Sequence, residues 1–475
     1  MSDKKILLLV DHKHRDLPPL ALIGFCLTQL GCQVKLRGLE DEDEIIKEFD
    51  PLVIVLPKPI YNFRKLVHWK IQGRRLVVID TEGNSQFKSY KFNILIEPDI
   101  YFFWNSVMKD RYNDILDNRK TIKKVLGFPR SDFLHSNYLD LFPSRADLLN
   151  KYGLNHNNKT ITIATSTQDC HFSKERIQKK SKRRSRALSE SEDYREIVKN
   201  KFKLLSVTLD MLEQLSNKYP DINIAVKPHP HENVVFWQDF IDKLNNPNIK
   251  LVAGEPIYHL LLISDLHVSH NVCTTTIEAI MAGVKAVEIH TDKSRTLYDE
   301  RHLYIADYII RKADQMISIS QKELFSAAND DELEGIRNHC DIDSYISKYF
   351  YKFDGGRCQE YAEELNSFMK NQYRKVDVIK FIRNHYNCLL PYCLATIKYT
   401  ILNALMLFQR NRRLEREVNA PSAVNEREVK EINGVLVDAE YGLFDNRMRP
   451  GDESIWYQRF SGHKYTANYL VKNIE

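Results

Sequence analysis

The sequence predicts an α/β fold built from two Rossmann-like halves, followed by a helical extension at the C-terminus. The strand candidates are unbroken runs of Val, Ile and Leu separated by helical stretches, a pattern typical of parallel sheets covered by helices on both faces. This alternation occurs twice along the chain. The 475 residues include 16 glycines and 16 prolines and are 43% hydrophobic, which excludes a collagen-like or largely disordered chain.

Residues 1–150 form the first predicted half, an N-terminal Rossmann-like domain. The apolar run Ile6–Val10 predicts its first strand, and a helical period over Pro18–Leu30 ends at Gly31, which is a helix stop signal. Further strands are predicted at Gln33–Leu36, Leu52–Leu56 and Leu76–Ile79, with a short helix opened by the acidic run Glu40–Glu44.

Residues 151–335 form the second predicted half, a C-terminal Rossmann-like domain. Thr160–Ala164 predicts its first strand, and Tyr194–Tyr219 predicts a long amphipathic helix. The other predicted elements are the strands Ile222–Val226, Ile249–Val252, Leu266–Ser269 and Ala286–Ile289 and the helix Thr274–Ala282, which stops at Gly283.

Residues 336–418 predict a helical extension. Its most apolar stretch, Cys388–Phe408, contains a proline, a lysine and an asparagine and is therefore a poor membrane span. Four arginines follow between residues 410 and 416, so the stretch suits either peripheral docking on an anionic membrane or packing as a core helix. Residues 419–475 are polar, and we expect them to form an extended tail.

The charge of the chain is small but unevenly distributed. The 69 Lys and Arg residues and 64 Asp and Glu residues give a net charge of +5. The segment 174–186 carries eight basic residues and one acidic residue, so the rest of the chain is slightly acidic. A basic run without interleaved aromatic residues does not indicate nucleic-acid binding, and we expect a solvated loop close to the ligand site.

The eight cysteines form no C-x-x-C pair, and the first residues do not read as a signal peptide. Reduced thiols in a cytoplasmic protein are therefore expected, with peripheral contact with the inner face of the inner membrane as a further expectation.

A loop rich in proline and histidine follows the predicted strand Ile222–Val226. Its sequence from Lys227 to Glu232 is KPHPHE. In open α/β sheets ligands bind at the carboxyl ends of strands, and two prolines would fix the direction of His229 toward a phosphate or leaving group. A surface turn is the plain alternative. A metal site on His229 and His231 would need further ligands, and the neighbouring sequence offers none, so we predict no metal.

A second polar cluster, from Ser269 to Ala279 with sequence SHNVCTTTIEA, joins a strand end to a helix start. Thr275 and Glu278 have the spacing of a capping box, which is a purely structural device. Backbone N–H groups and threonine hydroxyls at a helix N-terminus also suit a nucleotide phosphate. The candidate donor-binding residues of both clusters are Lys227, His231, His270, Asn271, Thr274, Thr275, Thr276 and Glu278.

Together the two clusters resemble those of the bacterial surface carbohydrate biosynthesis proteins, which are glycosyltransferases of GT-B architecture similar to the retaining Kdo transferases of capsule and O-antigen assembly. The segments Arg15–Leu17, Asp80–Gly83 and Gly127–Asp132 also have counterparts in this pattern. The resemblance implies two Rossmann-like domains facing across a cleft, with the acceptor on the first and the sugar nucleotide on the second.

The resemblance also implies a reaction. A sugar would move from CMP-Kdo, or from a related CMP-sugar, to a glycan or glycolipid, without a metal ion or cofactor. His229 would stabilise the departing phosphate, and Glu278 could accept hydrogen bonds from ribose hydroxyls. In the first half, Asp16 and Glu82 are candidates for the general base or for binding the acceptor.

A retaining mechanism needs a carboxylate on the face opposite the leaving group. Asp169 follows the first strand of the second half and is the first candidate. Any of these carboxylates could equally be a capping or solvated residue. The other candidates precede the long helix and are Glu190, Glu192 and Asp193.

Two other functions stay open on the sequence. A transferase of glycerol phosphate or ribitol phosphate from a CDP-linked donor would use the same kinds of residue but form a phosphodiester. A non-catalytic scaffold of glycan assembly would keep the fold and bind a glycan or a partner protein.

Overall fold

The computed structural model describes residues 4–58, 63–81, 98–110, 120–171, 177, 194–270, 273–291, 305–326, 333, 336–338, 341–370 and 452–461. The chain divides into two compact units. One unit holds both Rossmann-like halves and the described C-terminal helices. The other comprises residues 62–73 and 373–441, of which the helix Phe63–Ile71 is described.

The first half contains a sheet of parallel strands: β1 (Lys5–Val10), β2 (Gln33–Gly38), β3 (Val53–Leu56), β4 (Arg75–Ile79), β5 (Ile100–Phe103) and β6 (Ile122–Val125). Their order is β2-β1-β3-β4-β5-β6. The central strands are almost entirely buried, as expected for a parallel sheet with helices on both faces.

The second half contains another parallel sheet: β7 (Thr160–Ala164), β8 (Asn223–Lys227), β9 (Ile249–Leu251), β10 (Leu266–His270), β11 (Lys285–Ile289) and β12 (Tyr308–Ile310). The order is β12-β11-β10-β7-β8-β9, so β7 is the strand at which the direction of strand addition reverses. In open α/β sheets, ligands bind outside the carboxyl ends of the strands at such a switch point.

The described residues also form 3₁₀ segments and α-helices. Short 3₁₀ segments lie at Pro129–Leu134, Ser136–Leu141 and Gln168–His171. The α-helices are α1 (Lys13–Gln29), α2 (Glu42–Phe49), α3 (Phe63–Ile71), α4 (Arg145–Tyr152), α5 (Tyr194–Lys218), α6 (Val234–Leu244), α7 (Ile257–Ile263), α8 (Thr274–Met281), α9 (Ala313–Phe325), α10 (Ile342–Tyr349), α11 (Arg357–Lys370) and α12 (Asp452–Ser461).

The predicted strands are confirmed to within one or two residues, whereas α1 begins earlier than predicted. It starts at Lys13, so Pro18 and Pro19 lie inside the helix. Because Pro18 has no N–H, the carbonyl of His14 lacks its usual helical donor. The hydroxyl of Tyr258, which belongs to α7 of the second half, donates to this carbonyl at 3.4 Å. The irregular start of α1 therefore provides a contact between the two halves.

Helix α11 returns the chain to the first half. The carboxylate of Asp132 accepts the backbone N–H groups of Arg357 and Cys358 at 3.0 and 2.7 Å, which satisfies two donors in the first turn of α11. The hydroxyl of Tyr361 donates to the carbonyl of Gly127 at 2.9 Å. The helix packs along α1, so this part of the helical extension belongs to the same compact unit as the sheets.

Residues 452–461 form the helix α12, which corrects the prediction of an extended polar tail at this position. The ring centroids of Phe25 and Phe460 lie 5.8 Å apart, and those of Phe133 and Trp456 lie 5.6 Å apart. The prediction was wrong because a few aromatic residues, set in a long polar segment, find partners on the first half that no local pattern reveals.

The predicted membrane-docking stretch Cys388–Phe408 lies outside the described residues. Among the helices that are described, none has the length and apolar character needed to cross a membrane.

Candidate functional site

The candidate site lies where the loops after β1, β7, β8 and β10 meet the 3₁₀ segment Pro129–Leu134. The two halves touch here directly, because the Nε of Arg130 lies 2.8 Å from the Oε1 of Glu278 on α8. Both sheets therefore present the carboxyl ends of their strands to one shared cleft.

The loop from Lys227 to Glu232 is held by its last residue. The buried carboxylate of Glu232 accepts hydrogen bonds from the Trp237 indole at 2.8 Å and from the Thr167 hydroxyl at 3.1 Å. The Thr167 backbone N–H and the Thr165 hydroxyl donate to it as well. Glu232 thus ties the loop after β8 to the loop after β7, and this fixes the direction of the proline-histidine segment.

His229 is neutral and oriented by this loop. Its Nδ1 accepts the backbone N–H of His231 at 3.2 Å, so the proton of the neutral ring lies on Nε2. Burial, with the neighbouring His231, Lys201 and Lys227, lowers the pKa of His229 to about 3. Burial also lowers the pKa of Lys227. The side chain of His231 is exposed beside His229, with ring centroids 5.4 Å apart.

Lys201, on α5, adds a buried cation that was not among the predicted site residues. Its Nζ donates to the hydroxyl of Ser166 at 2.7 Å, next to the loop after β7. Its charge acts on both His229 and His270. A lysine in the middle of a long helix carries no sequence signal that separates it from the surface lysines of that helix.

His270, a predicted donor-binding residue, is fully buried with both ring nitrogens engaged. Its Nδ1 accepts the Ser166 backbone N–H at 3.0 Å, so its Nε2 donates to the Thr208 hydroxyl at 2.8 Å. That hydroxyl donates onward to the carbonyl of Leu204 at 2.7 Å. The ring therefore positions the loop after β7 and does not face the cleft.

The start of α8 differs from the predicted capping box. Its N-cap is Cys273, which provides no side-chain cap, and Thr275 lies inside the first turn. The Thr275 hydroxyl contacts Cys273 Sγ at 3.2 Å, and the Thr276 hydroxyl donates to Glu288 at 2.7 Å. Thr274 is partly exposed, and Asn271 lies outside the described residues. The hydroxyls of Thr275 and Thr276 thus have partners within the fold.

Glu278 pairs with Arg130 and not with a backbone N–H of the helix N-terminus. The predicted capping box is absent because α8 begins at Thr274, so Thr275 is not its N-cap. Both side chains are at least nine-tenths buried. Burial raises the pKa of Glu278, against the opposing charges of Arg130, Lys227 and Arg15. The 2.8 Å contact is an ion pair without hydrogen-bond alignment, because neither Arg130 Nε nor Glu278 Oε1 has a hydrogen-bond partner.

The first half contributes the residues that follow β1. Asp16 is fully buried and accepts the His12 backbone N–H at 3.0 Å and the Arg15 Nε at 2.6 Å. Burial alone would raise the pKa of Asp16, but the charge and hydrogen bonds of Arg15 outweigh it, and this pKa is lowered. Asp16 therefore holds Arg15 and the start of α1 in place.

His12 and His14 lie beside this carboxylate and face the second half. Burial, with the charge of Arg15, lowers the pKa of His12 to about 4. Burial, with the charge of Lys227, lowers the pKa of His14 to about 4. The two rings, with centroids 6.1 Å apart, thus share one electrostatic neighbourhood with Lys227 and His229 across the cleft. Among the described residues, His12 has no hydrogen-bond partner at its buried Nδ1.

His12 and His14 were not among the predicted site residues, although the sequence carries a signal for them. The segment DHKHRD follows the first strand directly, at the end of the sheet where ligands bind. Of the predicted carboxylates, Asp169 lies buried in the 3₁₀ segment after β7, and its assignment as nucleophile stays a prediction. Outside the described residues lie Glu82, Glu190, Glu192, Asp193 and all of the basic segment 174–186 apart from Ile177.

No group of three or more His, Cys, Asp or Glu side chains that could hold a metal ion is present in the described part of the chain.

Comparisons with known proteins identify the fold. No family model matches the sequence, and no curated protein matches it. Among solved structures, the wall teichoic acid polymerase TagF, in a variant soaked with CDPG, is similar with a TM-score of 0.50 and 10% identity, over 78% of this chain and 90% of that one. MnaA of S. aureus with UDP has a TM-score of 0.49 and 11% identity, over 78% and 99% of the two chains.

At this identity the likeness to TagF concerns the fold alone. It agrees with the two parallel six-stranded sheets and with the helices that follow them. The chain therefore has the GT-B fold, in which two Rossmann-like halves face each other across a cleft.

Proposed function

We propose that the protein is a glycosyltransferase that moves a sugar from a nucleotide-activated donor to a glycan or glycolipid acceptor. The observation that carries this proposal is the meeting of neutral histidines and cations from both halves at the carboxyl ends of the strands. His12 comes from the first half, and Lys227 and His229 come from the second. An anion bound between them would offset the cationic charge that disfavours protonation of the histidines.

The donor phosphate would bind to the second half. Lys227 and Lys201 supply charge, and the neutral ring of His229 can donate a hydrogen bond from Nε2 to a phosphate oxygen. The start of α8, with the partly exposed Thr274, adds helix-terminal N–H groups. As the glycosidic bond to the nucleotide breaks, these groups would stabilise the negative charge that develops on the phosphate.

His12 would act as the general base for the acceptor. Its neutral ring can take the proton of an acceptor hydroxyl while the hydroxyl oxygen bonds to the anomeric carbon. A donor anion in the cleft would raise its pKa from about 4 toward neutrality, which makes it a better base in the complex. Asp16, already bonded to Arg15 and His12, would support this residue rather than take the proton itself.

For the donor we propose CMP-Kdo or a related CMP-linked nonulosonic acid, without a metal ion. The resemblance of the two sequence clusters to Kdo transferases supports this choice. The cations of the cleft also support it, because they can balance the phosphate charge that a divalent ion balances in other transferases. We expect the reaction to take place in the cytoplasm, on the inner face of the membrane.

A second candidate is transfer of glycerol phosphate or ribitol phosphate from a CDP-linked donor. The observation that favours it is the likeness to TagF, a wall teichoic acid polymerase whose structure was obtained after a soak with CDPG.

The products distinguish these candidates. Purified protein would be incubated with CMP-Kdo, CDP-glycerol or UDP-N-acetylglucosamine and a panel of bacterial glycan acceptors, and the products would be measured by mass spectrometry. We expect a sugar adduct from CMP-Kdo with release of CMP. A glycerol phosphate adduct would support the second candidate instead. Donor binding without any product from wild-type protein would favour a scaffold.

A further inference from the structure

We propose that Arg130 binds the carboxylate of an acidic donor sugar and thereby selects it over neutral sugars. This inference rests on the proposed function, because it assigns the substrate class of the same cleft. It starts from a side chain whose hydrogen-bonding capacity is largely unused within the fold.

Arg130 is buried, yet most of its donors have no protein acceptor. The side chain is 8% exposed, and its guanidinium lies over the ring of Phe128 at 4.9 Å. A guanidinium carries five N–H donors in a planar fork. Only its Nε approaches an acceptor, Glu278, and among the described residues the terminal nitrogens form no hydrogen bond. The terminal nitrogens are not among the fully buried atoms that lack a partner, so a ligand can reach them, and an oxyanion would form charge-assisted hydrogen bonds with them.

The position of the fork suits a group next to the donor phosphate. Glu278 follows Thr274 by four residues, or about 6 Å of helix rise, so the partner of Arg130 lies on the same face of α8 as Thr274, one turn further along. The charges of Lys227 and Arg15 also act on Glu278. The Arg130 guanidinium therefore lies in the cationic part of the cleft. It belongs to the first half, whereas the phosphate-binding loop belongs to the second.

In a CMP-linked nonulosonic acid the carboxylate is attached to the anomeric carbon, which also carries the bridging phosphate oxygen. A planar carboxylate pairs with a planar guanidinium through two parallel hydrogen bonds. Neutral sugars have no such group at that carbon, so they would leave the donors of Arg130 unsatisfied.

Isothermal titration calorimetry would test this assignment with CMP, with CMP-N-acetylneuraminic acid and with the methyl ester of the latter. We expect wild-type protein to bind the acid about tenfold more tightly than CMP or the ester, which corresponds to one charge-assisted contact. In Arg130→Gln this preference should disappear, while the affinity for CMP changes less than threefold. The double variant Arg130→Gln/Glu278→Gln removes the unpaired buried carboxylate and keeps the test valid if the single variant does not fold.

Arg145→Gln is the matched control, because Arg145, the first residue of α4, pairs with Asp265 at 2.7 Å and is not among the cleft residues described above. It should retain the preference. If Arg130→Gln binds CMP and the acid more weakly by the same factor, the Arg130 guanidinium contacts the phosphate and not the carboxylate. That result would overturn the inference, while the proposed function stands. If wild-type protein binds none of the three ligands, the CMP-linked donor proposed above fails, and this inference falls with it.

Discussion

Removal of the Glu232 carboxylate should increase the mobility of the loop from Lys227 to Glu232, while its two histidines stay in the sequence unchanged. Glu232 is 2% exposed and accepts four hydrogen bonds from Thr165, Thr167 and Trp237. In Glu232→Ala the Thr167 N–H and the Trp237 indole N–H become buried donors without acceptors, at about 1–3 kcal/mol each. We therefore expect a destabilisation of about 3 kcal/mol, or a decrease in Tm of roughly 6–12 °C for a domain of this size.

Two measurements check this expectation. A thermal melt followed by circular dichroism gives the shift in Tm, and hydrogen exchange reports the Thr167 amide, which should be protected in wild-type protein and exposed in Glu232→Ala. The matched control is Glu213→Ala, at an exposed position on α5. The reasoning would be refuted by a shift below about 2 °C, or by unchanged exchange at Thr167, since the carboxylate would then not hold the loop.

Three further predictions concern His12, His270 and Gly24. His12→Asn should lower the rate of product formation about 10²- to 10⁴-fold and change the affinity for CMP less than threefold. Wild-type turnover in this variant would exclude His12 as the general base. The pKa of His270 is about 3 in the folded protein, whereas a histidine in the unfolded chain binds a proton as pH falls below about 6.5. The free energy of unfolding should therefore decrease, through this one residue, by up to ~1.4 kcal/mol per pH unit. In His270→Asn, denaturation between pH 7 and pH 4 should show a correspondingly flatter pH dependence, and an unchanged slope would contradict this origin. A Cβ at Gly24 would lie 2.6 Å from the Tyr457 hydroxyl, so Gly24→Ala should speed hydrogen exchange in residues 452–461, with partial rescue by Tyr457→Phe. Equal exchange in wild-type protein and Gly24→Ala would show that α12 does not pack there.

The fold could be predicted from the sequence because parallel strands that are buried on both faces consist of consecutive apolar residues. The runs Leu52–Leu56 and Leu76–Ile79 are the clearest cases, and both are strands. Strand β6 was missed because its sequence, IKKV, is that of a partly exposed edge strand. Helix α12 was missed because its stability comes from aromatic contacts with Phe25 and Phe133, which are far away in sequence.

The candidate site could be predicted only in part. The proline-histidine loop and the start of α8 were located because both follow strands whose carboxyl ends can be read from the sequence. The roles of individual residues could not be read in the same way. A capping-box spacing and a buried ion pair look alike in sequence, so only the structure distinguishes a Glu278 that caps its own helix from one that pairs with Arg130.

The central claim is that Lys227 and its loop bind the phosphate of a nucleotide donor, and direct measurement of CMP affinity tests it. Isothermal titration calorimetry would compare wild-type protein with Lys227→Met and with Lys285→Met, whose lysine pairs with Asp307 at the opposite end of the second sheet. We predict that wild-type protein and Lys285→Met bind CMP equally, and that Lys227→Met binds it at least tenfold more weakly. Equal CMP affinity in all three proteins, or no binding to any of them, would contradict the claim.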